Sequence, residues 1–237
     1  MGVSYVVTGG GRGIGRAIAE RLLEQATVVI VDHDAPDWRH ERLITVIGDA
    51  SHESVAEHAA DLAQESGALA GWVNNAASFR DASPDKDDIS LIKRLIAANL
   101  DPALIGCAVA VKRFMATGGA IVNITSHQAQ RAVPGCLPYV TAKAAIEGLT
   151  RALAVEYGKH GIRVNAVAPG SVATERNAQL VGVEREMARL HPIGRAARSS
   201  EIASAVAYLL SAEASFITGA VVPVDGGRSV LGLDPES

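Results

Sequence analysis

A tyrosine and a lysine four residues apart are the side chains of this chain best suited to proton transfer. They are Tyr139 and Lys143, in the segment YVTAK. Residues four apart on a helix lie on one face, so the two side chains can interact. An ammonium beside a phenol favours the phenolate and lowers the pKa of Tyr139 from its usual value of about 10. Tyr139 is therefore a candidate general acid and base.

A serine hydroxyl stands upstream of this pair. Ser126 ends the segment IVNITS, 13 residues before Tyr139. Its hydroxyl can hydrogen-bond a substrate oxygen on which negative charge develops. Thr125 offers a competing hydroxyl, but the alternation of side chains along a strand points it to the other face.

A glycine-rich segment, TGGGRGIG at positions 8–15, lies near the start of the chain. A short β-rich run precedes it, and apolar residues at helical spacing follow it. Glycine lets the backbone approach a phosphate closely, and the helix N-terminus offers free N–H groups. The spacing G-x-x-x-G-x-G differs from the G-x-G-x-x-G of the usual dinucleotide fingerprint. The segment predicts a pyrophosphate-binding turn made by Gly9, Arg12, Gly13, Ile14 and Gly15.

An acid ends the next apolar run, TVVIVD at positions 27–32. Asp32 follows the glycine turn by about 20 residues, where a carboxylate can accept hydrogen bonds from the adenosine ribose. Asp32 and Asp34 would both repel the 2′-phosphate of NADP. Arg12 argues the other way, because an arginine in the turn can reach a phosphate. The sequence favours NAD over NADP as the cofactor.

Together these motifs resemble the short-chain dehydrogenase/reductase family, in its compact single-domain branch. The resemblance covers nearly the whole chain and is carried by TGxxxGxG at 8–15, NNAA at 74–77, Asn99, IVNITS at 121–126, YxxxK at 139–143, PG at 169–170 and VDGG at 224–227. It implies an α/β fold with a three-layer, doubly wound parallel sheet of Rossmann type, in one domain over residues 1–237. It also implies a nicotinamide cofactor and hydride transfer between an alcohol and a carbonyl.

The resemblance assigns roles to further residues. It implies that Lys143 binds the hydroxyls of the nicotinamide ribose, and that Asn99 holds a water molecule linking Lys143 to solvent. The other cofactor contacts that it implies are Asp49, Ala50, Asn75, Ala76, Tyr139, Pro169, Gly170, Val172 and Thr174.

The composition fits a soluble enzyme better than a nucleic-acid or membrane protein. A chain of 237 residues can bury one full core, and its net charge of −4 offers no footprint for nucleic acid. We see no signal peptide and no apolar run of membrane-spanning length. The two cysteines, Cys107 and Cys136, are expected to be buried, and the seven histidines lack metal-ligand spacing. We expect a cytoplasmic enzyme with no metal, acting on a small alcohol or carbonyl substrate.

Strands and helices alternate along the chain. Strands are predicted at 5–7, 27–32, 43–47, 69–73, 121–124, 162–167 and 220–224, and helices at 16–23, 51–64, 89–115, 139–157 and 201–210. Ser51 is the predicted N-cap of the second helix. The link after Asp34 is too short for the helix that the family usually has there. The turn before Asp32 lacks the family's glycine, which leaves the register of that strand open, and residues from about Arg228 are expected to be loosely held.

The sequence does not name a substrate. Specificity is expected from residues 173–195 and from His127, Gln128, Arg131 and Val133, with a mobile lid over 173–198. Arg131 suits an anionic substrate, although an exposed loop arginine is usually just solvated.

Two other classes of protein are alternatives to the oxidoreductase. A catalytically silent, NAD-binding regulatory protein should lack Ser126, Tyr139 or Lys143, and this chain keeps all three. An isomerase or dehydratase that uses NAD transiently should have a larger substrate domain. Apolar residues left over on the helices at 89–115 and 139–157, with the strand near Val221, predict a homotetramer, with a dimer as the alternative.

Overall fold

Seven parallel strands form the central sheet of the computed structural model, which describes residues 2–175 and 183–232. The strands are β1 Val3–Thr8, β2 Thr27–Asp32, β3 Leu43–Ile47, β4 Ala68–Asn74, β5 Gly119–Ile124, β6 Ile162–Pro169 and β9 Val221–Val224. Their order across the sheet is β3-β2-β1-β4-β5-β6-β9, and each neighbouring pair is parallel. Two further strands, β7 Val172–Ala173 and β8 Ala197–Arg198, pair with each other.

Helices cover both faces of this sheet. They are α1 Gly13–Leu23, α2 Glu53–Ser66, α3 Ile89–Phe114, α4 Leu137–Tyr157, α5 Val183–Leu190 and α6 Ser199–Leu210. Helices α1 and α6 pack together on one face, and α2, α3 and α4 pack on the other. The predicted three-layer, doubly wound sheet is confirmed.

The central strands are apolar along their whole length because helices bury both of their sides. In β2, Val28 to Val31 are all buried, and only the end residues Thr27 and Asp32 are partly exposed. The chain leaves β1 toward β2 on one side, whereas β4 lies on the other side of β1. In an open α/β sheet, the ligand crevice lies at the carboxyl ends of the strands near such a reversal.

The segment from 33 to 42 contains no helix, as predicted, and β2 has the predicted bounds despite the missing glycine before it. The predicted N-cap of α2 is wrong. That helix begins at Glu53 with His52 as its N-cap, and no side chain caps it. The reason is a local turn, in which the backbone N–H of Ser51 donates to the Asp49 carboxylate at 2.8 Å.

Helix α3 is long and apolar enough to cross a membrane by length and composition, contrary to the expectation that no segment would be. Half of its most apolar window is buried inside the protein, and the helix packs against α2, α4 and β4. That burial is typical of a core helix. The carboxylate of Asp88 caps the start of α3 by accepting a hydrogen bond from Ser90.

Two expectations about side chains are also wrong. Cys136 is partly exposed, because it lies in the loop that leads into α4, whereas Cys107 is buried as expected. The expectation of a loosely held segment from about Arg228 is wrong at Arg228 and Ser229, and positions 233–237 lie outside the described residues. The Arg228 guanidinium donates to the Ser171 hydroxyl at 2.7 Å, and the Ser229 N–H donates to Asp225 at 2.7 Å.

Candidate active site

The glycine turn connects β1 to α1 and leaves the start of that helix open. Gly9 and Gly13 have φ angles of +65° and +56°, which side chains rarely adopt. A Cβ on Gly15 would lie 1.9 Å from the Gly9 carbonyl oxygen, so the helix packs against the turn only through glycine. Arg12 is the N-cap, its side chain makes no capping bond, and the first turn contains no acid. The N–H groups from Gly13 to Gly15, with Ile14 between them, are therefore available to a phosphate.

Asp32 is tied directly to this turn. One of its carboxylate oxygens accepts a hydrogen bond from the Gly11 N–H at 2.8 Å, and the other accepts from the His33 N–H at 2.8 Å. Both oxygens keep lone pairs for ribose hydroxyls. The carboxylate is thus held beside the turn, at the carboxyl end of β2.

Trp38 lies in the short link that replaces the missing helix. Its indole N–H donates to the Gly11 carbonyl at 3.0 Å, and the ring is buried in the core that includes α1. The Arg16 guanidinium lies 5.4 Å from the centroid of this ring and pairs with Glu20 and Asp37. Arg16 is therefore already neutralised by two acids.

Further predicted cofactor contacts follow β3 and β4. Burial opposes ionisation of Asp49, but hydrogen bonds from Ser51 outweigh it and hold the pKa of this carboxyl below its usual value. Ala50 beside it is buried. After β4, the N–H groups of Asn75 and Ala76 donate to the Thr8 hydroxyl at 3.0 and 3.2 Å. The Asn75 amide also donates to the carbonyls of Thr8 and Gly9.

Lys143 is a buried cation beside Tyr139. Only 2% of Lys143 is exposed, and burial lowers its pKa to about 8. Its ammonium donates to the Ile124 carbonyl at 2.8 Å and lies 5.5 Å from the centre of the Tyr139 ring. Pro138 in the first turn helps start α4 just before the tyrosine. The pair lies on one face of α4, directed at the end of β5.

Ser126 lies two residues beyond Ile124 and is buried. Its hydroxyl oxygen accepts a hydrogen bond from the Gln128 N–H at 3.1 Å, so its proton remains available to a substrate oxygen. The competing hydroxyl of Thr125 is committed to the Val167 carbonyl at 3.2 Å. The geometry therefore favours Ser126 as the donor.

Asn99 acts on a neighbouring loop through its side chain. The amide is buried; its oxygen accepts from the Ser78 N–H at 2.9 Å, and its nitrogen donates to the Leu95 carbonyl at 3.0 Å. The next residue in that loop, Phe79, stacks on Tyr139 with ring centroids 5.1 Å apart. Phe79 is still 57% exposed, so the pair forms an aromatic surface at the edge of the site.

The segment after β6 returns toward the glycine turn. The Gly170 N–H donates to the Val224 carbonyl at 3.1 Å, and a Cβ on Gly170 would lie 2.8 Å from His191. Val172 is buried in β7, after Pro169 at the end of β6. A Cβ on Gly13 would lie 3.6 Å from the Thr174 methyl, so this segment reaches the start of α1. The predicted site segments at 8–15, 126–143 and 169–174, which follow the ends of β1, β5 and β6, thus lie along one edge of the sheet.

These residues fit a dinucleotide. The open helix start suits a pyrophosphate, the Asp32 carboxylate lies beside it, and Lys143 and Tyr139 lie farther along the same edge. Within residues 2–175 and 183–232, no three His, Cys, Asp or Glu side chains gather where they could hold a metal ion.

Comparison with known proteins identifies the family. Residues 9–229 match a family model described as enoyl-(acyl carrier protein) reductase, and many similar proteins are short-chain dehydrogenases/reductases. The chain belongs to the short-chain dehydrogenase/reductase family. It is 35% identical over 246 residues to glucose 1-dehydrogenase 2 of Bacillus subtilis, covering 97% of this chain and 95% of that protein.

Solved structures of the family agree with the fold. The ligand-free aldohexose dehydrogenase of Thermoplasma acidophilum superposes with a TM-score of 0.90 at 31% identity, over 98% of this chain and 96% of that one. The protein ElxO, solved with NADP bound, gives a TM-score of 0.89 at 26% identity, over 98% and 100% of the two chains. As a short-chain dehydrogenase/reductase, the protein transfers a hydride between a nicotinamide cofactor and an alcohol or ketone substrate. The relatives are named dehydrogenases and reductases, which leaves the regulatory alternative without support.

Sequence reasoning missed Trp38, Phe79, His191 and Arg228. Phe79 could have been singled out from the sequence, because it follows the NNAA motif by two residues and is one of only three phenylalanines in the chain. The others act through contacts between segments distant in sequence. The predicted lid over 173–198 is only partly testable, because positions 176–182 lie outside the described residues.

Proposed function

We propose that the protein is an NAD-dependent alcohol dehydrogenase or ketoreductase in which Tyr139 exchanges the proton. The observation that carries this proposal is the placement of a buried Lys143 ammonium beside the Tyr139 ring. The same ammonium donates to the carbonyl of Ile124 at the end of β5, two residues before Ser126, whose hydroxyl proton can reach a substrate oxygen. A nearby cation favours the phenolate, so Tyr139 can accept a proton from an alcohol and return one to a ketone.

The three side chains have separate tasks. During oxidation the phenolate of Tyr139 removes the hydroxyl proton as the carbinol carbon loses its hydride. During reduction the phenol gives that proton back to the oxygen. Ser126 donates a hydrogen bond to the same oxygen, where it stabilises the charge that develops. The nicotinamide cofactor, when bound, supplies the hydride acceptor or donor.

Lys143 and Asn99 support this chemistry. We infer that Lys143 also binds the nicotinamide ribose, since its ammonium has donors beyond the one used by Ile124. Both polar groups of the Asn99 side chain already bond to the backbone. We therefore infer that Asn99 acts first by holding the loop of Phe79, and its role in a water path stays a prediction.

NAD is the proposed cofactor because of the charges around the turn. Asp32 is fixed beside Gly11, where it can accept from ribose hydroxyls and repels a 2′-phosphate. Arg16, the basic residue of α1 nearest the link, is paired with Glu20 and Asp37. Arg12 has no ion-pair partner among the described residues and is the one cation of the turn that favours NADP.

A homotetramer is the proposed assembly. A groove between α3 and α4 is lined by Leu104, Cys107, Ala108, Val111, Lys112, Leu149, Leu153 and Tyr157. Val155 on α4 is 87% exposed, which suits a second contact surface on that helix. Strand β9 is an edge of the sheet with one side unpaired, and Phe216 just before it is fully exposed. We propose one two-fold axis at α3 and α4 and another at β9, with a dimer as the alternative assembly. We also propose that the enzyme is cytoplasmic.

The direct test is turnover of a panel of alcohols and ketones, followed by the near-ultraviolet absorbance of NADH. The expected result is oxidation of at least one secondary alcohol with NAD and reduction of the matching ketone with NADH. Cofactor binding without turnover of any member of a broad panel would favour the regulatory alternative.

A further inference from the structure

Polar side chains that proton transfer does not use collect at the sheet edge beyond Ser126. The glycine turn, Asp32 and Asp49 follow β1, β2 and β3, so the adenosine side lies at that end of the sheet. The strand order β1-β4-β5-β6-β9 then leads past Ser126 and away from the cofactor turn. Ser126 after β5 and the residues that follow β9 therefore lie farther along this edge than the glycine turn, whereas the segment after β6 reaches back to that turn through Thr174.

His127 presents an acceptor in this region. Its Nδ1 lies 3.1 Å from the Pro169 carbonyl oxygen, and a carbonyl can only accept, so Nδ1 carries the proton. Nε2 is then an unprotonated acceptor. It is buried and has no hydrogen-bond partner within residues 2–175 and 183–232. Burial, and next the positive charge of Arg228, lower the pKa of His127, and His191 lowers it further. The Pro169 carbonyl and the Asp225 carboxylate act in the opposite direction, but the pKa remains below its usual value. The ring therefore stays neutral.

Arg228 presents donors in the same region. Its guanidinium donates to the Ser171 hydroxyl at 2.7 Å, and no carboxylate of the described residues pairs with it. Burial lowers the pKa of Arg228 and the nearby charge of Asp225 acts to raise it, but no hydrogen bond or ion pair joins the two within the described residues. The carboxylate oxygens of Asp225 accept from the backbone N–H groups of Gly227 and Ser229. Within residues 2–175 and 183–232, the remaining N–H groups of Arg228 have no hydrogen-bond partner, so they can donate to another acceptor.

His191 does not compete for either group. Its Nδ1 lies 2.6 Å from the Met187 carbonyl, and its Nε2 accepts from the Ser171 N–H at 3.1 Å. Both of its ring nitrogens are therefore used. What remains is a buried acceptor on His127 next to a half-buried donor on Arg228.

We propose that His127 and Arg228 bind a second hydroxyl of the substrate, so that the enzyme acts on diols or more highly hydroxylated alcohols. A hydroxyl can donate to His127 Nε2 while it accepts from the guanidinium, which satisfies both groups at once. A carboxylate has no proton for Nε2, and an apolar substituent satisfies neither group. The inference rests on the proposed function, because the hydroxyl being oxidised must lie at Ser126 and Tyr139.

The experiment compares kcat/KM with NAD for cyclohexanol, for the three positional isomers of cyclohexanediol, and for the monomethyl ether of the preferred diol. The ether keeps an acceptor for Arg228 but has no proton for His127. We expect one diol to exceed cyclohexanol by about tenfold or more, and to exceed its ether. His127→Phe should remove the advantage of the diol over the ether, and Arg228→Met should lower its advantage over cyclohexanol. Arg94→Met, at an exposed position on α3, removes the same charge and should keep both ratios.

Several outcomes would overturn this assignment. They are the absence of a preferred diol, ratios that neither His127→Phe nor Arg228→Met changes, and an Arg228-dependent preference for a hydroxycyclohexanecarboxylate over every diol. Each of them can occur while cyclohexanol is still oxidised, so the proposed function would stand. If no alcohol is turned over, the hydroxyl subsite is tested by calorimetry of diol binding to the complex of the protein with NAD. Binding that weakens in Arg228→Met supports the hydroxyl subsite and contradicts the proposed function, and no binding contradicts both.

Discussion

The ammonium of Lys143 donates a hydrogen bond to the carbonyl oxygen of Ile124 across 2.8 Å. This bond ties the first turns of α4 to the last residue of β5, two residues before Ser126. The proposed proton-transfer pair and the proposed oxyanion donor, Ser126, are thus positioned by one contact. The ammonium of Lys143 is also buried, and removing its charge from water lowers the free energy of unfolding by an amount that can be measured.

Lys143→Met should stabilise the cofactor-free protein at neutral pH. The pKa of Lys143 is 10.5 in the unfolded chain and about 8 when folded, so between these values the unfolded chain binds more protons. The free energy of unfolding should therefore rise with pH across that window, and below it the buried charge costs about 3 kcal/mol. Denaturant titrations across that pH range should show the variant's advantage shrinking as pH rises. Lys93→Met, at an exposed position, should follow the wild type, and a constant difference would contradict the burial argument.

Tyr139→Phe should lose redox turnover by a factor of about a hundred or more while the fold and NAD binding remain. The change removes one oxygen and little volume, so the stack with Phe79 can persist. Steady-state kinetics and the thermal unfolding midpoint are the measurements. Tyr208→Phe, on the exposed side of α6, is the matched control. Near-normal turnover in Tyr139→Phe would remove this residue from the mechanism.

Asp32→Asn should narrow or reverse the preference for NAD. The asparagine keeps an acceptor for the Gly11 N–H but loses the charge that repels a 2′-phosphate. Asp32→Ala should do the same and also loosen the turn, since Gly11 then lacks this acceptor. The ratio of kcat/KM for the two cofactors is the measurement. A strong preference for NADPH in the wild type would reject the assignment and point to Arg12 as a phosphate ligand.

Asn99→Ala should slow turnover and destabilise the protein by about 0.5–1.5 kcal/mol, because the exposed Ser78 N–H loses its bond to Asn99 and must bond to water instead. The loop that carries Phe79 would then be free to leave Tyr139. Asn99→Asp keeps the acceptor and should restore part of the turnover. If both variants lost activity equally while Phe79 stayed on Tyr139 in their structures, the loop would not be the route by which Asn99 acts.

Ala108→Glu should lower the assembly state. This exposed alanine lines the apolar groove between α3 and α4, and a buried unpaired carboxylate would oppose association there. Ala116→Glu, exposed just past the end of α3, is the control. Sedimentation velocity of wild type and variants at micromolar concentration gives the answer. A wild-type monomer with full activity would contradict the proposed tetramer.

The sequence predicted the elements whose signals are local. The run at 27–32 is apolar because both faces of β2 are buried, and it ends at Asp32 because the strand ends there. The nearness of Tyr139 and Lys143 could also be predicted, since one helix is enough to bring them together. The start of α2 was not, because the Asp49 carboxylate takes the Ser51 N–H in a turn that competes with the cap.

Contacts between distant segments could not be read from the chain. Trp38 bonds to a carbonyl 27 positions earlier, and Arg228 bonds to a side chain 57 positions earlier. The positions of Trp38 and Arg228 depend on which strand ends are brought together when the sheet forms. The sequence therefore indicated the proposed proton-transfer pair and named His127 as a specificity residue, but it did not indicate that Arg228 lies near His127.

The position of Trp38 gives the protein an optical reporter of its own. The chain has two tryptophans, one bonded to the phosphate-binding turn and the other, Trp72, wholly buried in β4. The fluorescence of Trp38 should change when a dinucleotide binds at the glycine turn, whereas the fluorescence of Trp72 should change only when the core unfolds. A Trp38→Phe chain would assign each signal, so cofactor binding and unfolding can be followed separately in one unlabelled sample.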